Sequence, residues 1–335
     1  MRAVYVPEFG GPEVLETRAV DAPEAGAGEV VVAVAAADVM FLDTRLRAGW
    51  GREFFKMAPP YVPGGAVGGV VESVGAGVDP SWIGKRVATR TVASRIGGGQ
   101  PIGGYAEKAV AEVGVLTEVP EGVSVRQAVA LVHDGRTAKA AFERAAIASG
   151  EWVLITAAAG GLGILLTQFA HAAGAQVIAA ARGAEKLALA SRLGADVVVD
   201  YSEPGWADTA RAATGGAGPQ VVLDGAGGDL GGAALRIVAD NGSFLGYGSA
   251  AGEFATGDAE SAEARGVTVY NLFDITTADT DWQALAAQVL DDVRAGRLEV
   301  VIGQTFALED AEKAHAAIES RAAIGRTLLL TDSVS

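Results

Sequence analysis

Apolar positions along this chain follow two different patterns, and the change between them falls near Ser124. The first part carries short runs rich in Val and Ala, separated by Pro and Gly signals such as Gly11-Pro12. Such runs predict β-strands, since Val packs well on a pleated sheet and Pro and Gly form turns. The predicted strands are Arg2 to Val6, Glu29 to Ala37, Ala66 to Val74, Lys85 to Val92 and Gly104 to Val110. With one short helix at Met40 to Arg47, this half is predicted to be a small, irregular, barrel-like β domain.

From Ser124 onward, strand-like and helix-like segments alternate. Helical patterns at Val125 to Leu131 and Thr137 to Ala148 come first. The predicted strands are Trp152 to Thr156, Gln176 to Ala181, Val197 to Asp200, Gln220 to Asp224 and Gly242 to Gly246. The predicted helices between them are Leu162 to Ala173, Glu185 to Leu193, Trp206 to Ala213 and Leu230 to Val238. This alternation predicts an α/β domain with a doubly wound parallel sheet.

The end of the chain changes pattern once more. After about Gly266 come a β-rich run at Val267 to Leu272 and helices at Trp282 to Ala295 and Leu308 to Ser320. A final apolar strand runs from Arg326 to Thr331, and a strand of that kind needs a sheet to join. The first domain is the favoured host. We therefore predict that residues 124–266 form the sheet domain, inserted into a split β domain made of residues 1–123 and 267–335.

The stretch Glu151 to Ala170 carries the most specific chemical signal, because a buried strand leads into a glycine turn that opens a helix. The first backbone N–H groups of a helix have no partner inside it, and the helix dipole adds partial positive charge there. A pyrophosphate fits such a place if side chains are small. The residues of the turn are Ala158, Gly160, Gly161, Leu162 and Gly163. The alternative is a plain structural turn, but this strand-to-helix context is the one that a dinucleotide site needs.

The end of the second strand decides which dinucleotide is expected. An NAD site usually places a carboxylate there to accept from the ribose 2′-hydroxyl. This sequence instead has Arg182, with Lys186 in the first turn of the next helix. Both cations suit a 2′-phosphate, and Arg can bind one bidentately. The alternative is ordinary surface charge, and the sequence favours NADPH.

Composition limits the other possibilities. The 335 residues suit two domains, and half of them are hydrophobic. A formal charge of −15 counts against nucleic acid or an anionic membrane surface as the main partner. The chain has no Cys and three His, which excludes disulfides, thiol catalysis and thiolate zinc sites and counts against other metal centres. Neither a signal peptide nor a long apolar run is visible, so we expect a cytoplasmic protein.

One motif resembles the cofactor motif of the zinc-independent quinone oxidoreductases, the zeta-crystallin branch of the medium-chain dehydrogenase/reductase superfamily. It reads Ala157-Ala158-x-Gly160-Gly161-x-Gly163-x-x-x-x-Gln168-x-Ala170. Other matching pieces are Phe41-Leu42-Asp43-Thr44, Val62-Pro63-Gly64, Gly84-Lys85-Arg86-Val87, Gly103-Gly104-Tyr105-Ala106-Glu107, Asp134-Gly135-x-Thr137-Ala138, Leu193-Gly194-Ala195-Asp196, Asp200-Tyr201 and Ala314-His315. The resemblance covers nearly the full length. It implies a GroES-like domain split around a Rossmann domain that binds NADPH, and a homodimer.

The resemblance also carries expectations for single residues. Zinc-using relatives hold catalytic metal at places that match Met40, Gly65, Ala66 and His133, and these residues cannot make a tetrahedral site. Metal-free chemistry is therefore expected. Family members place a Tyr against the 2′-phosphate, which would be Tyr201, and the motif around Thr137 adds that residue to the cofactor contacts. The alternative for Tyr201 is simple packing at a strand end.

Two departures from the family pattern bear on the substrate. Many quinone oxidoreductases have Asn where Met40 stands and Tyr where Arg45 stands, both near the nicotinamide or the quinone. Arg45 is therefore a candidate for binding a polar oxygen of the acceptor, or else part of a solvated face. Hydride transfer to a quinone or enone puts negative charge on a carbonyl oxygen, which needs a hydrogen-bond donor. His133 is the candidate donor, and the alternative is a structural residue at a helix start.

Further candidates follow the late strands, because ligands of open parallel sheets lie beyond the carboxyl ends of the strands. Backbone at Gly246, Tyr247 and Gly248 is expected to meet the nicotinamide end of the cofactor, and the Tyr247 side chain is a candidate to reach the substrate. Asn271 and Phe273 are candidate cofactor contacts after the next strand. His171 and His315 are expected to be structural or exposed.

These observations predict an NADPH-dependent, zinc-free oxidoreductase that transfers hydride to a quinone-type acceptor. An enone, alkenal or enoyl-thioester reductase is the enzymatic alternative, since both reactions use the same cofactor and differ in the hydride acceptor. An NADPH-binding sensor or structural protein with little turnover is the alternative of another class.

Overall fold

The computed structural model describes residues 1–52, 57–91, 102–257, 259–275 and 280–332. Within these ranges the strands are β1 (Arg2–Tyr5), β2 (Glu16–Ala19), β3 (Glu29–Val39), β4 (Ala66–Val74), β5 (Arg86–Arg90), β6 (Lys108–Glu112), β7 (Thr117–Glu118), β8 (Trp152–Thr156), β9 (Gln176–Ala181), β10 (Val197–Asp200), β11 (Val221–Asp224), β12 (Ser243–Gly246), β13 (Thr268–Asn271), β14 (Ile302–Ala307) and β15 (Arg326–Leu330). The helices are α1 (Phe41–Arg47), α2 (Val125–Leu131), α3 (Asp134–Ala145), α4 (Gly161–Ala172), α5 (Ala184–Arg192), α6 (Trp206–Ala213), α7 (Gly228–Arg236), α8 (Ala259–Glu263), α9 (Trp282–Arg294) and α10 (Ala311–Glu319). Val92, the last residue of one predicted strand, lies outside the described residues.

One compact unit combines Met1–His133 with Ala286–Ser335. Its main sheet has the strand order β14-β15-β3-β4-β5-β7, with β6 also paired to β3. The terminal strand β15 runs antiparallel to β3, with Leu329 opposite Ala37. The buried Asp38 of β3 accepts from Arg326 Nε of β15 at 3.1 Å, so a charge pair joins the same two strands. The expected split β domain, closed by the end of the chain, is confirmed.

The strand β14 was not predicted from the sequence. It lies parallel to β15, and α10 makes the connection between them. Its residues alternate between partly buried and exposed, and it contains Gly303, so no continuous apolar run marks it. The edge strands β2 and β7 were missed for a similar reason, since neither contains a buried residue.

The second compact unit comprises Asp134–Leu285. Its six strands form one parallel sheet in the order β10-β9-β8-β11-β12-β13. The first strand of this sheet is β8. The next two strands, β9 and β10, extend the sheet on one side of β8, and β11 then follows on the other side. This order places a switch point between β8 and β11, the place where open α/β sheets bind ligands. The predicted doubly wound sheet is confirmed, with Leu154, Ile178, Val222 and Phe244 in its core.

The limits of the sheet domain differ from the predicted residues 124–266. The strand β13 pairs in parallel with β12, with Val269 opposite Phe244, so residues 268–271 belong to the parallel sheet and not to the split β domain. At the other end, α2 packs Val129 and Ala130 against Ala36 and Leu328 of the first unit. Both differences have one cause: a short apolar run shows its own structure but not the sheet it joins.

A buried polar cluster lies inside the first unit. The Tyr105 hydroxyl lies 3.0 Å from His315 Nε2 of α10 and donates to Asp43 Oδ2 of α1 at 3.4 Å. Asp43 also accepts from the Met40 N–H at 2.9 Å, which fixes the start of α1. Burial raises the pKa of Asp43 to about 6, and burial together with nearby Arg47 lowers the pKa of His315 to about 3. The folded unit therefore keeps His315 neutral.

We expect His315→Gln to change how the free energy of unfolding depends on pH. The unfolded chain binds a proton at His315 near pH 6.5, whereas the folded chain resists it until about pH 3. Folding therefore loses about 1.4 kcal/mol for each pH unit as the pH falls through this window. Gln does not titrate and can still meet the Tyr105 hydroxyl. Urea unfolding should show the variant gaining about 2 kcal/mol relative to the wild type between pH 7 and pH 5.

Asp43→Asn is the matched control, because Asp43 contributes with the opposite sign. Its folded pKa is raised from 3.8, so the folded state takes the proton first and gains stability as the pH falls from about 6 to about 4. Relative to the wild type, Asp43→Asn should lose stability over that range. Parallel stability curves for wild type and His315→Gln would show that His315 is not the titrating group.

Candidate cofactor site

The predicted glycine turn joins the end of β8 to the start of α4. Ala157 follows the strand with a φ of 51°, and the Gly160 N–H donates to the Ala157 carbonyl at 2.9 Å. Gly160 is the N-cap residue of α4 and has no side chain to cap it. Its carbonyl accepts from the Ile164 N–H at 3.0 Å. No side chain therefore caps the free N–H groups of the first turn, which leaves them able to bind an anion.

The glycines of this turn differ in the space that they leave for a Cβ atom. At Gly163 a Cβ would lie 2.5 Å from the Ala157 carbonyl oxygen and 2.7 Å from Ala158 Cα. The absence of a side chain at Gly163 lets α4 pack closely against the turn. At Gly160 the single near atom is the Ala157 oxygen, at 3.2 Å, so its other side is open. A closely packed turn with an open outer side fits a dinucleotide pyrophosphate.

The residues predicted to meet a 2′-phosphate lie at one corner of the sheet. Arg182 follows β9 and is exposed, and Tyr201 follows the neighbouring strand β10. The Tyr201 N–H donates to the Ala181 carbonyl at 3.2 Å, so the two strand ends are held side by side. Lys186 lies in the first turn of α5, four residues after Arg182. The structure thus places Arg182 and Tyr201 after neighbouring strands, with Lys186 in the helix that follows β9.

Sequence reasoning missed Asp200, which holds this corner in shape. Its carboxylate accepts from the Gly183 N–H at 2.8 Å and from the Ser202 N–H and hydroxyl at 2.9 and 2.5 Å. The Ser202 hydroxyl and backbone, Gly183 and nearby Arg182 lower the pKa of Asp200. Gly183 has a φ of 83°, which favours glycine. Asp200 therefore fixes the turn that carries Arg182, and this role could not be read from the sequence because Gly183 lies 17 residues away.

A second polar cluster connects the two strands at the switch point. The Thr156 hydroxyl of β8 donates to Asp224 Oδ1 of β11 at 2.5 Å and accepts from the Gly225 and Ala226 N–H groups at 3.0 and 3.1 Å. Asp224 in turn accepts from the Gly227 N–H at 3.1 Å. Both side chains are fully buried. They fix the backbone of the turn after β11, which borders the crevice.

Tyr247 does not have the orientation expected of a catalytic residue. Its side chain is buried, and its hydroxyl donates to the Thr156 carbonyl at 3.1 Å. Burial and the nearby acids Asp224 and Asp134 raise its pKa well above the usual range for tyrosine. The prediction of Tyr247 as a group that reaches the substrate is therefore wrong, because its only proton is committed to the backbone. Its contact with Gly225, where a Cβ would lie 2.6 Å from the hydroxyl oxygen, brings the turn after β12 close to the turn after β11.

The remaining predicted residues are divided between the two units. Thr137 lies in the first turn of α3, and Gly246 and Gly248 lie at and after the end of β12, all in the second unit. Asn271 ends β13 and accepts from the Phe273 N–H at 2.8 Å, which leaves Phe273 82% exposed. His133 and Arg45 belong to the first unit. The Arg45 guanidinium lies 5.4 Å from the centre of the Trp50 ring, so this cation rests on an aromatic surface.

The residues at the places of zinc ligands have other roles in the first unit. Met40 is the N-cap residue of α1, and Ala66 is the first residue of β4. In the part of the chain that the structure describes, three or more His, Asp or Glu side chains do not converge on a place that could hold a metal ion. None of the described helices is long and apolar enough to cross a membrane.

Comparison with known proteins agrees with this architecture. Residues 26–121 match the alcohol dehydrogenase GroES-like domain, and residues 161–291 match the family described as zinc-binding dehydrogenase. A quinone oxidoreductase of Pseudomonas aeruginosa is 33% identical over 328 residues, which cover 96% of this chain and 97% of that protein. A 2-haloacrylate reductase of a Burkholderia species is 30% identical and covers 98% of both chains.

The solved structures give the same result. A mycobacterial protein in complex with NADPH superimposes with a TM-score of 0.86 at 33% identity, over 98% of this chain and 100% of that one. The GroES-like and Rossmann-type parts, the glycine turn and the full-length similarity agree with one another. This protein is therefore an oxidoreductase that belongs to the quinone oxidoreductase group of the medium-chain dehydrogenase/reductase superfamily.

Proposed function

We propose that this protein uses NADPH to reduce a quinone-type acceptor without a metal ion. The observation that carries the proposal is the corner at the ends of β9 and β10, where Arg182, Lys186 and Tyr201 stand beside a dinucleotide turn. Two cations and a phenol suit a 2′-phosphate, whereas the ribose of NAD is usually met by a carboxylate at the end of the second strand. The NADPH bound to the mycobacterial relative supports the same choice.

The contacts proposed for the cofactor follow from these elements. The pyrophosphate would be held by the turn and first N–H groups of α4, at Ala158, Gly160, Gly161, Leu162 and Gly163. The nicotinamide end would meet the backbone after β12 at Gly246, Tyr247 and Gly248, with Thr137, Asn271 and Phe273 as further contacts. When bound, the cofactor supplies the hydride.

Charge that develops on the acceptor oxygen has to be met by the protein. We propose that His133 or Arg45 donates a hydrogen bond to this oxygen, and that Tyr247 does not. His133 ends the first unit directly before α3, and Arg45 lies on α1. Both offer N–H donors, which is what a quinone or enone oxygen needs as it gains negative charge. The zinc-free part of the proposal rests on Met40, Gly65 and Ala66, which offer no strong metal ligand.

Reduction of a conjugated alkene is the second candidate. The similarity to a 2-haloacrylate reductase favours it, because that similarity covers as much of this chain as the similarity to the quinone oxidoreductases does. The two reactions use the same cofactor site and differ in whether hydride goes to a quinone or to an alkene carbon. The acceptor therefore has to be determined by assay and not from the cofactor site.

We expect NADPH oxidation with 1,2-naphthoquinone to exceed that with a 2-alkenal by at least about tenfold in kcat/KM, a difference of about 1.4 kcal/mol in the activation free energy. Steady-state rates followed at the NADPH absorbance would give both values. A preference for the alkenal would replace the quinone proposal with the second candidate. Tight NADPH binding without oxidation across both acceptors would favour a sensor or structural protein. The rate should also survive incubation with a chelator, and its loss would contradict the zinc-free part.

The proposal also includes a cytoplasmic homodimer. The edge strand β13 pairs with β12 on one side within the described part of the sheet, which leaves its other side available to a second copy. Sedimentation of the purified protein at micromolar concentration would test this part, and a monomer would contradict it.

A further inference from the structure

Asp224 is a buried acid whose hydrogen bonds indicate that it is ionised. Its hydrogen-bond partners among the described residues are all donors: the Thr156 hydroxyl at 2.5 Å, the Ala226 N–H at 3.2 Å and the Gly227 N–H at 3.1 Å. An ionised carboxylate is purely an acceptor, whereas a protonated one would need an acceptor for its own proton. Burial raises the pKa of Asp224, and these donors oppose that effect. The contacts therefore suit a negative charge inside the sheet domain.

This charge is not neutralised by a cation. Among the described residues no Lys or Arg forms an ion pair with Asp224, and the groups that affect its pKa are its burial and its hydrogen-bond donors. A second acid faces the same region. Asp134, the first residue of α3, acts together with Asp224 to raise the pKa of Tyr247. The charge of Asp224 therefore contributes a negative potential at the end of β11, in a region of low dielectric constant.

The position of Asp224 in the sheet gives this potential a target. It ends β11, one strand across the switch point from the glycine turn after β8. A dinucleotide with its pyrophosphate at the glycine turn and its 2′-phosphate at the ends of β9 and β10 would place its nicotinamide half on the β11 and β12 side. The nicotinamide ring is neutral in NADPH and carries one positive charge in NADP⁺. A fixed negative charge on that side must therefore favour one redox state over the other.

We propose that the buried carboxylate of Asp224 stabilises the oxidised, cationic cofactor relative to the reduced one, and so strengthens NADPH as a hydride donor in this site. The inference rests on the proposed NADPH function. Loss of a hydride, which is two electrons and one proton, converts a neutral ring to a cation. The attraction to Asp224 grows as that charge appears. This role differs from holding the turn after β11 in place, which would affect both redox states alike.

The ratio of two dissociation constants tests the proposal without any turnover. NADPH and NADP⁺ would each be titrated into wild type and Asp224→Asn by calorimetry at pH 7.5. Asn keeps the size of the side chain and its acceptor oxygen but removes the charge. We expect the ratio of the NADP⁺ constant to the NADPH constant to rise about three- to tenfold in the variant. An unchanged ratio in a folded Asp224→Asn would overturn the inference.

Three further variants separate charge from structure. Asp196→Asn is the matched control, because Asp196 accepts from the Val177 N–H at the amino edge of the same sheet and should leave the ratio unchanged. Thr156→Val keeps the charge but removes a hydrogen bond, so it should weaken both forms by a similar factor. Asp134→Asn should shift the ratio in the same direction as Asp224→Asn and serves if the latter does not fold; an unchanged ratio there would then overturn the inference. Failure of wild type to bind either nucleotide would instead contradict the proposed function.

Discussion

Gly163→Ala should reduce NADPH affinity by about 30-fold or more and lower the free energy of unfolding by about 1–3 kcal/mol. The reason is the lack of space for a Cβ, which would lie 2.5 Å from the Ala157 oxygen and 2.7 Å from Ala158 Cα. Both are backbone atoms that cannot rotate away. The turn and the first residues of α4 must shift together, and these are the groups proposed to hold the pyrophosphate. Calorimetric titration with NADPH and urea unfolding measure the two effects.

Gly160→Ala separates binding from stability at the same turn. Its Cβ would approach one atom, the Ala157 oxygen at 3.2 Å, and its φ of −82° suits any residue. Stability should therefore change little, while the added methyl group reduces the space for a pyrophosphate. Gly114→Ala is the neutral control, since a Cβ there meets no atom within 4 Å. Equal NADPH affinity in all three variants would contradict the assignment of the turn.

Arg182→Ala should raise the Michaelis constant for NADPH about 10- to 100-fold and leave that for NADH nearly unchanged. Arg182 is exposed directly after β9, and Tyr201 follows the neighbouring strand, so removal of Arg182 should cost the proposed contact with a 2′-phosphate and little else. Steady-state kinetics with both cofactors against one acceptor would measure this. The comparison of the two cofactors within one variant removes any general effect on folding.

Arg236→Ala is the control for this prediction. Arg236 is also exposed and also lies in the sheet domain, in the last turn of α7, but belongs to no proposed contact. It should leave both constants unchanged. The NADPH assignment fails if wild type uses NADH as efficiently as NADPH, or if Arg182→Ala leaves the NADPH constant where it was.

The sequence predicted those features that depend on local signals. The glycine turn, the order of strands and helices from Trp152 to Gly246 and the place of Arg182 directly after β9 can all be read from neighbouring residues. Features that depend on distant partners could not be read in this way. Asp200 and Asp224 each end a strand in ordinary fashion, and their roles appear only when the turns that they hold are placed beside them.

Tyr247 and β13 are two further features that depend on distant partners, and for both of them the sequence led to a wrong prediction. The sequence places Tyr247 directly after a strand end, which is a good position for a functional group, but cannot show that its hydroxyl turns inward to the Thr156 carbonyl. The run that contains β13 was correctly seen as a strand and assigned to the wrong domain. A four-residue strand has no property of its own that distinguishes one neighbouring sheet from another.

The position of β15 has a consequence for synthesis of the chain. This strand lies between β14 and β3, so the first unit cannot close its main sheet until residues 326–330 have been made. The inserted unit is complete by Leu285, about 40 residues earlier in the chain. As the chain emerges from the ribosome, the middle of the sequence can fold while residues 36–39 of β3 still lack β15 as their neighbour. This strand edge therefore stays exposed to aggregation and to chaperones until the end of the chain has been made.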